Sequence, residues 1–207
     1  MGLGNPGPEY SNTRHNLGFR VLDYFAWRHN LEFREKKRLY WAARGQVGSH
    51  PVVLAKPRTF MNLSGQAVLS LCTTYGFSPS QIIVLSDDFC LPLGRLRLRK
   101  SGGSGGHNGL NNIIATLGSA NFIRLRLGVG PTPSGLDPVD FVLGRFAPSD
   151  EPTLKALEER ANEALSYLLE AGVEAAMNKF NGAPSPAPEP ESKGEVEKSE
   201  PRLDRGE

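Results

Sequence analysis

The first regular signal in the chain is helical: Leu17, Val21, Leu22 and Phe25 fall on one face, which predicts a helix over residues 17–30. Residues 39–47 and 52–56 read instead as two strands, joined by the hairpin connection Gly48-Ser49-His50-Pro51. Val68, Leu69, Leu71, Cys72 and Tyr75 return to helical spacing and point to a core, with Gly76 as the C-cap. Ile82-Ile83-Val84-Leu85 is a continuous apolar run, the pattern of a strand buried on both faces, and it ends in Ser86-Asp87-Asp88. Over residues 94–100, Leu96 and Leu98 alternate with Arg95, Arg97 and Arg99, a strand with one wet, basic face. A glycine-rich stretch, 101–109, separates it from an apolar helical run at 110–117. Residues 122–130 read as a further strand in which Arg124 and Arg126 again alternate with apolar positions, and a short helix is expected within 137–146. The clearest amphipathic helix comes next. Ser149 suits its N-cap, acids fill its first turn, Leu154, Leu157, Ala161, Leu165 and Leu168 form its apolar stripe, and Gly172 stops it. One further helical piece covers 173–180. Alternation of strands and helices through most of the chain makes the class α/β with one sheet.

A length of 207 residues allows one sizeable domain. No stretch approaches the ~18–20 continuous apolar residues of a membrane span, and the opening glycines, Asn5 and Pro6 do not read as a secretory leader. Cys72 and Cys90 match no metal-ligand spacing and read as reduced thiols of a cytosolic protein. Net charge is +2, unevenly placed: residues 183–207 hold seven acids and four bases, which leaves 20 bases against 15 acids on residues 1–182. That excess permits a polyanionic partner without requiring one. From Ala183 onward the chain is rich in Pro, Glu, Ser and Lys and nearly devoid of large apolar side chains. It cannot bury enough surface to offset chain entropy, so a disordered tail is expected over 183–207, after a domain over 1–182.

Candidate chemistry gathers at a few points. The stretch Ser101 to Gly109 has five glycines in nine residues, with Arg99 and Lys100 leading in and His107-Asn108 near its end. Ordered glycine is entropically costly, so such density inside a folded region marks backbone that passes close to something. An anion cradle before a helix is one reading, weakened because the Lys-Ser/Thr of a P-loop is missing. Gly2, Gly4 and Gly7 formally match GxGxxG, but no strand precedes them and Pro6 and Pro8 argue for a turn, against a dinucleotide site. His15 sits in a polar loop just before the first helix, and Asp87 and Asp88 end a buried strand, where open α/β sheets place ligands and catalytic groups. Each has a plain alternative: a capping or surface histidine, a solvated acidic turn, and Thr59 or Asn62 as helix caps.

Four blocks stand in order: Gly-Leu-Gly-Asn-Pro-Gly at 2–7, Thr-Arg-His-Asn at 13–16, Phe-Met-Asn-Leu-Ser-Gly at 60–65 and Gly-Gly-His-Asn-Gly at 105–109. Asp87 lies between the last two, and Arg-Leu-Arg-Leu-Gly-Val-Gly follows at 124–130. Each block is weak alone; in this order and spacing they resemble the bacterial-type peptidyl-tRNA hydrolases over residues 2–180. The resemblance implies a single α/β domain with a twisted mixed β-sheet flanked by helices on both faces. It also implies hydrolysis of the ester joining a peptide to the 3′ end of a tRNA, which recycles tRNA from stalled translation, with no metal or organic cofactor. The implied partner is peptidyl-tRNA rather than a membrane, and the implied setting is a cytoplasmic monomer. Carried over by position, His15 resembles the catalytic histidine and Asp87 its carboxylate partner. Asn5, Tyr10, Met61, Asn62, His107 and Asn108 match substrate-binding positions, and Arg99, Lys100 and Arg126 match bases that face the tRNA.

The residue types suit that chemistry. No Gly-x-Ser-x-Gly elbow is present, so water is the expected nucleophile and needs a base. Histidine can take its proton near neutral pH, and a carboxylate can hold the useful tautomer and favour the imidazolium. Asparagine amides can position substrate or stabilise an oxyanion without adding charge. Some positions depart from the family pattern. Ser86 and Cys90 stand where many relatives carry His and Asp, and Arg99 replaces a frequent Lys. Relatives also carry several apolar residues ahead of the first glycine block, forming a central strand, whereas Met1 stands here in the place of a strand residue. The first strand is therefore expected to be missing or cut short, with the 207 residues folding poorly, at a cost of ~2 kcal/mol for each large apolar side chain removed from the core. The rival reading is an RNA-binding relative that keeps the fold without hydrolysis, as plastid intron-splicing relatives do. Retention of His15, Asp87, Asn5, Asn62 and Asn108 argues against it. The glycine stretch is expected to act as a mobile lid.

Overall fold

The computed structural model describes residues 1–182, so the expected tail over 183–207 lies outside the described residues. The helical spacing after the first polar loop forms α1 (Leu17–Arg28), which buries Leu17, Val21, Leu22 and Phe25. A two-residue strand that the pattern does not reveal, β1 (Glu35–Lys36), pairs antiparallel with β2 (Tyr40–Val47). β2 pairs in turn with β3 (His50–Pro57), across a tip of Gly48 and Ser49. α2 (Ser64–Tyr75) ends at Gly76 as expected, but Leu69 is exposed, at the edge of the face that buries Val68, Leu71 and Cys72.

The apolar run at 82–85 opens β4 (Ile83–Pro92), which continues well past the acids. Ser86, Asp87 and Asp88 are buried within it, so the solvated-turn reading fails. β5 (Leu96–Arg99) buries its leucines and exposes its arginines. α3 (Asn108–Leu117) starts two residues before the apolar run, and β6 (Ile123–Gly130) follows. β6 departs from a simple basic face: Arg124 is 1% exposed, with its guanidinium 4.0 Å from the Phe122 ring centroid and its Nη atoms donating to Ala120 O at 3.3 Å. Burial first, and then the charge of Arg126, pull its pKa down. α4 (Pro138–Leu143) is the expected short helix. α5 (Glu151–Phe180) carries the long apolar stripe and breaks at Gly172, where φ is 83°. Ser149 does not cap it; Pro148–Asp150 forms a 3-10 turn, closed by Ala147 N–H donating to Asp150 Oδ2 at 2.9 Å.

The strands form two three-stranded sheets, ordered β1-β2-β3 and β4-β6-β5. β4 and β6 are parallel and β5 is antiparallel to β6, so the pairing is mixed. Residues 1–3 lie between the two sheets, in the place of a central strand. Gly2 N–H donates to Ala55 O at 3.1 Å, Leu3 N–H to Leu85 O at 2.9 Å, and Leu85 N–H to Met1 O at 2.9 Å. Helices cover both faces. One core packs α1 and α5 on Leu85, Leu125 and Leu127, and the other packs α2 and α3 on Leu3, Val84 and Phe122. α1 approaches so closely that a Cβ on Gly18 would lie 2.5 Å from Leu85 O and 2.6 Å from Leu3 O. This contact sets the turn before α1 directly over β4, and the site is built there.

Candidate active site

His15 lies on the 3-10 turn Arg14–Asn16 that feeds α1, and Asp87 on β4, 72 residues away. His15 Nδ1 is 2.9 and 3.0 Å from the two oxygens of Asp87. His107, the residue before α3, places Nε2 2.9 Å from Asp87 Oδ1. Its other nitrogen, Nδ1, accepts the Leu110 backbone N–H at 3.2 Å as the N-cap of α3. A nitrogen that accepts carries no proton, so His107 bears its proton on Nε2 and donates it to Asp87. Asp87 also receives the His15 Nδ1–H, which leaves His15 Nε2 as a free acceptor with no partner among the described residues. Burial pushes the Asp87 carboxyl up, but electrostatic attraction to the His107 and His15 rings and the hydrogen bonds they donate together outweigh it and hold the group well below the usual carboxylate range.

These three side chains offer ligand-type atoms all within 4.8 Å of one another, close enough to hold a metal ion. Their inward positions are committed to protons, however: His107 cannot release Nε2 to a metal without moving its proton onto the nitrogen that caps α3.

Asn5 follows the three-residue central segment. Its Oδ1 accepts from Met61 N–H at 2.8 Å, which turns its amide NH₂ toward the pocket. Asn16 fixes the same residue from behind: Asn5 N–H donates to Asn16 Oδ1 at 2.8 Å and Asn16 Nδ2 donates to Asn5 O at 2.9 Å. Asn16 belongs to the Thr-Arg-His-Asn block, yet nothing in the sequence marks it as a clamp, because an amide before a helix resembles an ordinary cap. Neither Thr59 nor Asn62 caps α2 by its side chain. Asn62 and Asn108 are exposed and line the same pocket of about 650 Å³ as Asn5, His15, Asp87 and His107. Met61 is buried in its wall and Tyr10 lies at its rim, edge-on to Phe60 with ring centroids 6.3 Å apart. Val139, Val142 and Leu143 of α4 also line this pocket, and no motif in the sequence marks them, because the apolar signal of so short a helix does not stand out.

The three basic positions do not converge on the pocket. Arg126 Nε is 2.9 Å from Asp88 Oδ2, within ion-pair range though not aimed for a hydrogen bond. Lys100 is paired with Glu174. Arg99 stands opposite Arg124 on the sheet, which itself stands opposite Val84, three residues before Asp87 along β4. Between Lys100 and His107 the glycine loop crosses back over Arg126, and a Cβ on Gly105, at φ 63°, would collide with Arg126 Nη2.

A buried carboxylate that two histidines share, an open imidazole nitrogen and amide groups line one pocket, an arrangement suited to acid–base chemistry. The family model for peptidyl-tRNA hydrolase matches residues 1–189. A peptidyl-tRNA hydrolase of Chloroflexus aurantiacus is 47% identical over 182 residues, covering 87% of this chain and 97% of the relative. One from Roseiflexus castenholzii is 44% identical over 205 residues, covering 99% and 94%. The crystal structure of the Acinetobacter baumannii enzyme superposes with a TM-score of 0.82 at 34% identity, over 87% of this chain and 92% of that one. The chain belongs to the peptidyl-tRNA hydrolase family.

Proposed function

We propose that this protein hydrolyses the ester between a peptide and the 3′ end of a tRNA, with His15 as the base that activates water. The observation that carries this reading is the sharing of Asp87 by two histidines, with Leu110 N–H fixing the tautomer of His107. Asp87 then holds the His15 proton on Nδ1 and leaves Nε2 to take a proton from water as the water oxygen bonds to the carbonyl carbon. When the C–O bond to the ribose breaks, the imidazolium returns that proton to the leaving oxygen. The amide of Asn5, whose oxygen is already engaged, donates to the oxyanion or the peptide backbone, and Asn62, Asn108 and Tyr10 contact the substrate at the pocket rim. Arg99, Lys100 and Arg126 are assigned to the tRNA. No helix among the described residues is long and apolar enough to cross a membrane, and the protein is taken to act as a cytoplasmic monomer. The test is hydrolysis of N-acylated aminoacyl-tRNA against free aminoacyl-tRNA. Wild type should cleave the former, and His15→Ala should lose ~10²–10⁴-fold in kcat. Tight tRNA binding without hydrolysis by well-folded wild type would instead make this a binding protein.

A further inference from the structure

Of the three cations assigned to tRNA, Arg126 and Lys100 already face carboxylates, and Arg99 alone has none among the described residues. The other flank of the pocket differs. β1 and β2 are joined through residues 37–39, and Arg58, just past β3, pins this turn twice. Its backbone N–H donates to Leu39 O at 2.8 Å and its Nη1 to Lys37 O at 2.8 Å. Trp41 lies between Lys36 Nζ, 5.2 Å from its ring centroid, and Arg58 Cζ, at 5.4 Å. Lys37 is offset by Glu35. Lys36, Arg38 and Arg58 have no carboxylate partner among the described residues, and Lys36 and Arg38 are exposed. Three uncompensated cations therefore sit on a turn whose backbone is already fixed, which lowers the ordering cost of binding an anion.

The turn also lies at the catalytic end of the sheet. β3 leaves the sheet at Pro57, and the chain reaches Phe60 and Met61 of the pocket within a few residues. Arg58 and Phe60 are two residues apart, a span of at most ~7 Å. A phosphate backbone leaving the ester on this side meets Arg58 first and then Lys36 and Arg38. We propose that Lys36, Arg38 and Arg58 form a phosphate-contacting surface for the tRNA part of the substrate, on the β1–β3 flank of the pocket. The proposal rests on peptidyl-tRNA being the substrate.

The test compares wild type with K36A/R38A, two exposed positions, by binding of deacylated tRNA over a salt series. It also compares hydrolysis of N-acylated aminoacyl-tRNA with hydrolysis of the same acyl group esterified to adenosine alone. The variant should keep the wild-type melting temperature and kcat and raise KM for the tRNA substrate several-fold at low salt. The slope of log affinity against log salt should fall by about 1 for each phosphate that the variant no longer neutralises, and the adenosine ester should be cleaved as before. An unchanged salt slope overturns the proposal, as does an equal loss on the adenosine ester. If wild type binds tRNA and the slope falls in the variant, yet no ester is cleaved, the surface stands and the hydrolase reading falls.

Discussion

At Asp87 one buried carboxylate accepts from two imidazoles, and its charge does two jobs. It keeps the His15 proton on Nδ1, and in the proposed mechanism it stabilises the imidazolium that forms during hydrolysis. Asp87→Asn removes the charge and allows the His15 proton to move to Nε2, so kcat should fall ~10²–10⁴-fold with smaller change in KM, measured by steady-state kinetics. The same residue contributes to stability. Its carboxyl is held below the usual range when folded and returns to ~3.9 when unfolded. The unfolded chain therefore binds more protons between those values. The contribution is full above about pH 5 and is lost as pH falls toward the folded pKa. Urea unfolding from neutral to acid pH should show the stability gap between wild type and Asp87→Asn narrowing over that interval.

At the scale of elements, the glycine stretch separates into positions with different tasks. Gly105 has φ 63° and lies against the Arg126 guanidinium, whereas Gly103 has open space around it and no positive φ. A side chain at Gly105 meets the left-handed backbone penalty of roughly 1–2 kcal/mol and pushes Arg126 away from Asp88. Gly105→Ala should raise KM and lower the melting temperature, while Gly103→Ala should leave stability within about 0.5 kcal/mol of wild type. Kinetics and thermal melts on the two single variants separate the positions. The density of glycine in the sequence marked the loop correctly as a place of close approach, but the periodicity of neighbouring residues held no clue to which glycine was tight. That depends on Arg126, which reaches the loop from β6.

Across the whole molecule, residues 1–3 join the two sheets and the two cores. Leu3 is fully buried and its backbone is bonded to β4, while Gly2 reaches β3 and Asn5, two residues on, enters the pocket. Leu3→Ala should cost about 2–5 kcal/mol of stability, since a cavity at the seam has walls from separate elements that cannot collapse together. Chemical denaturation measures this cost. Because Asn5 depends on the same segment, the variant should also lose activity at temperatures where it remains folded.

The sequence by itself determined the class of the fold and most of its elements, because hydrophobic spacing is local: α1, α2, α5 and the hairpin lie within a few residues of where their patterns put them. Through the order of four short blocks it also singled out His15 and Asp87, which the fold brings within hydrogen-bond distance. Only the tertiary structure decided what those residues do to one another. That His107 shares Asp87 and is locked by Leu110 N–H, that Asn16 clamps Asn5, and that Arg126 and Lys100 are already paired are contacts between distant segments. They leave no trace in local spacing, since a polar residue facing a buried partner and one facing solvent have the same letter in the chain. Burial of Arg124 and of the two acids inside β4 was hidden for the same reason: the chain supplies the side chain, and the packing of other elements over it decides whether it meets water.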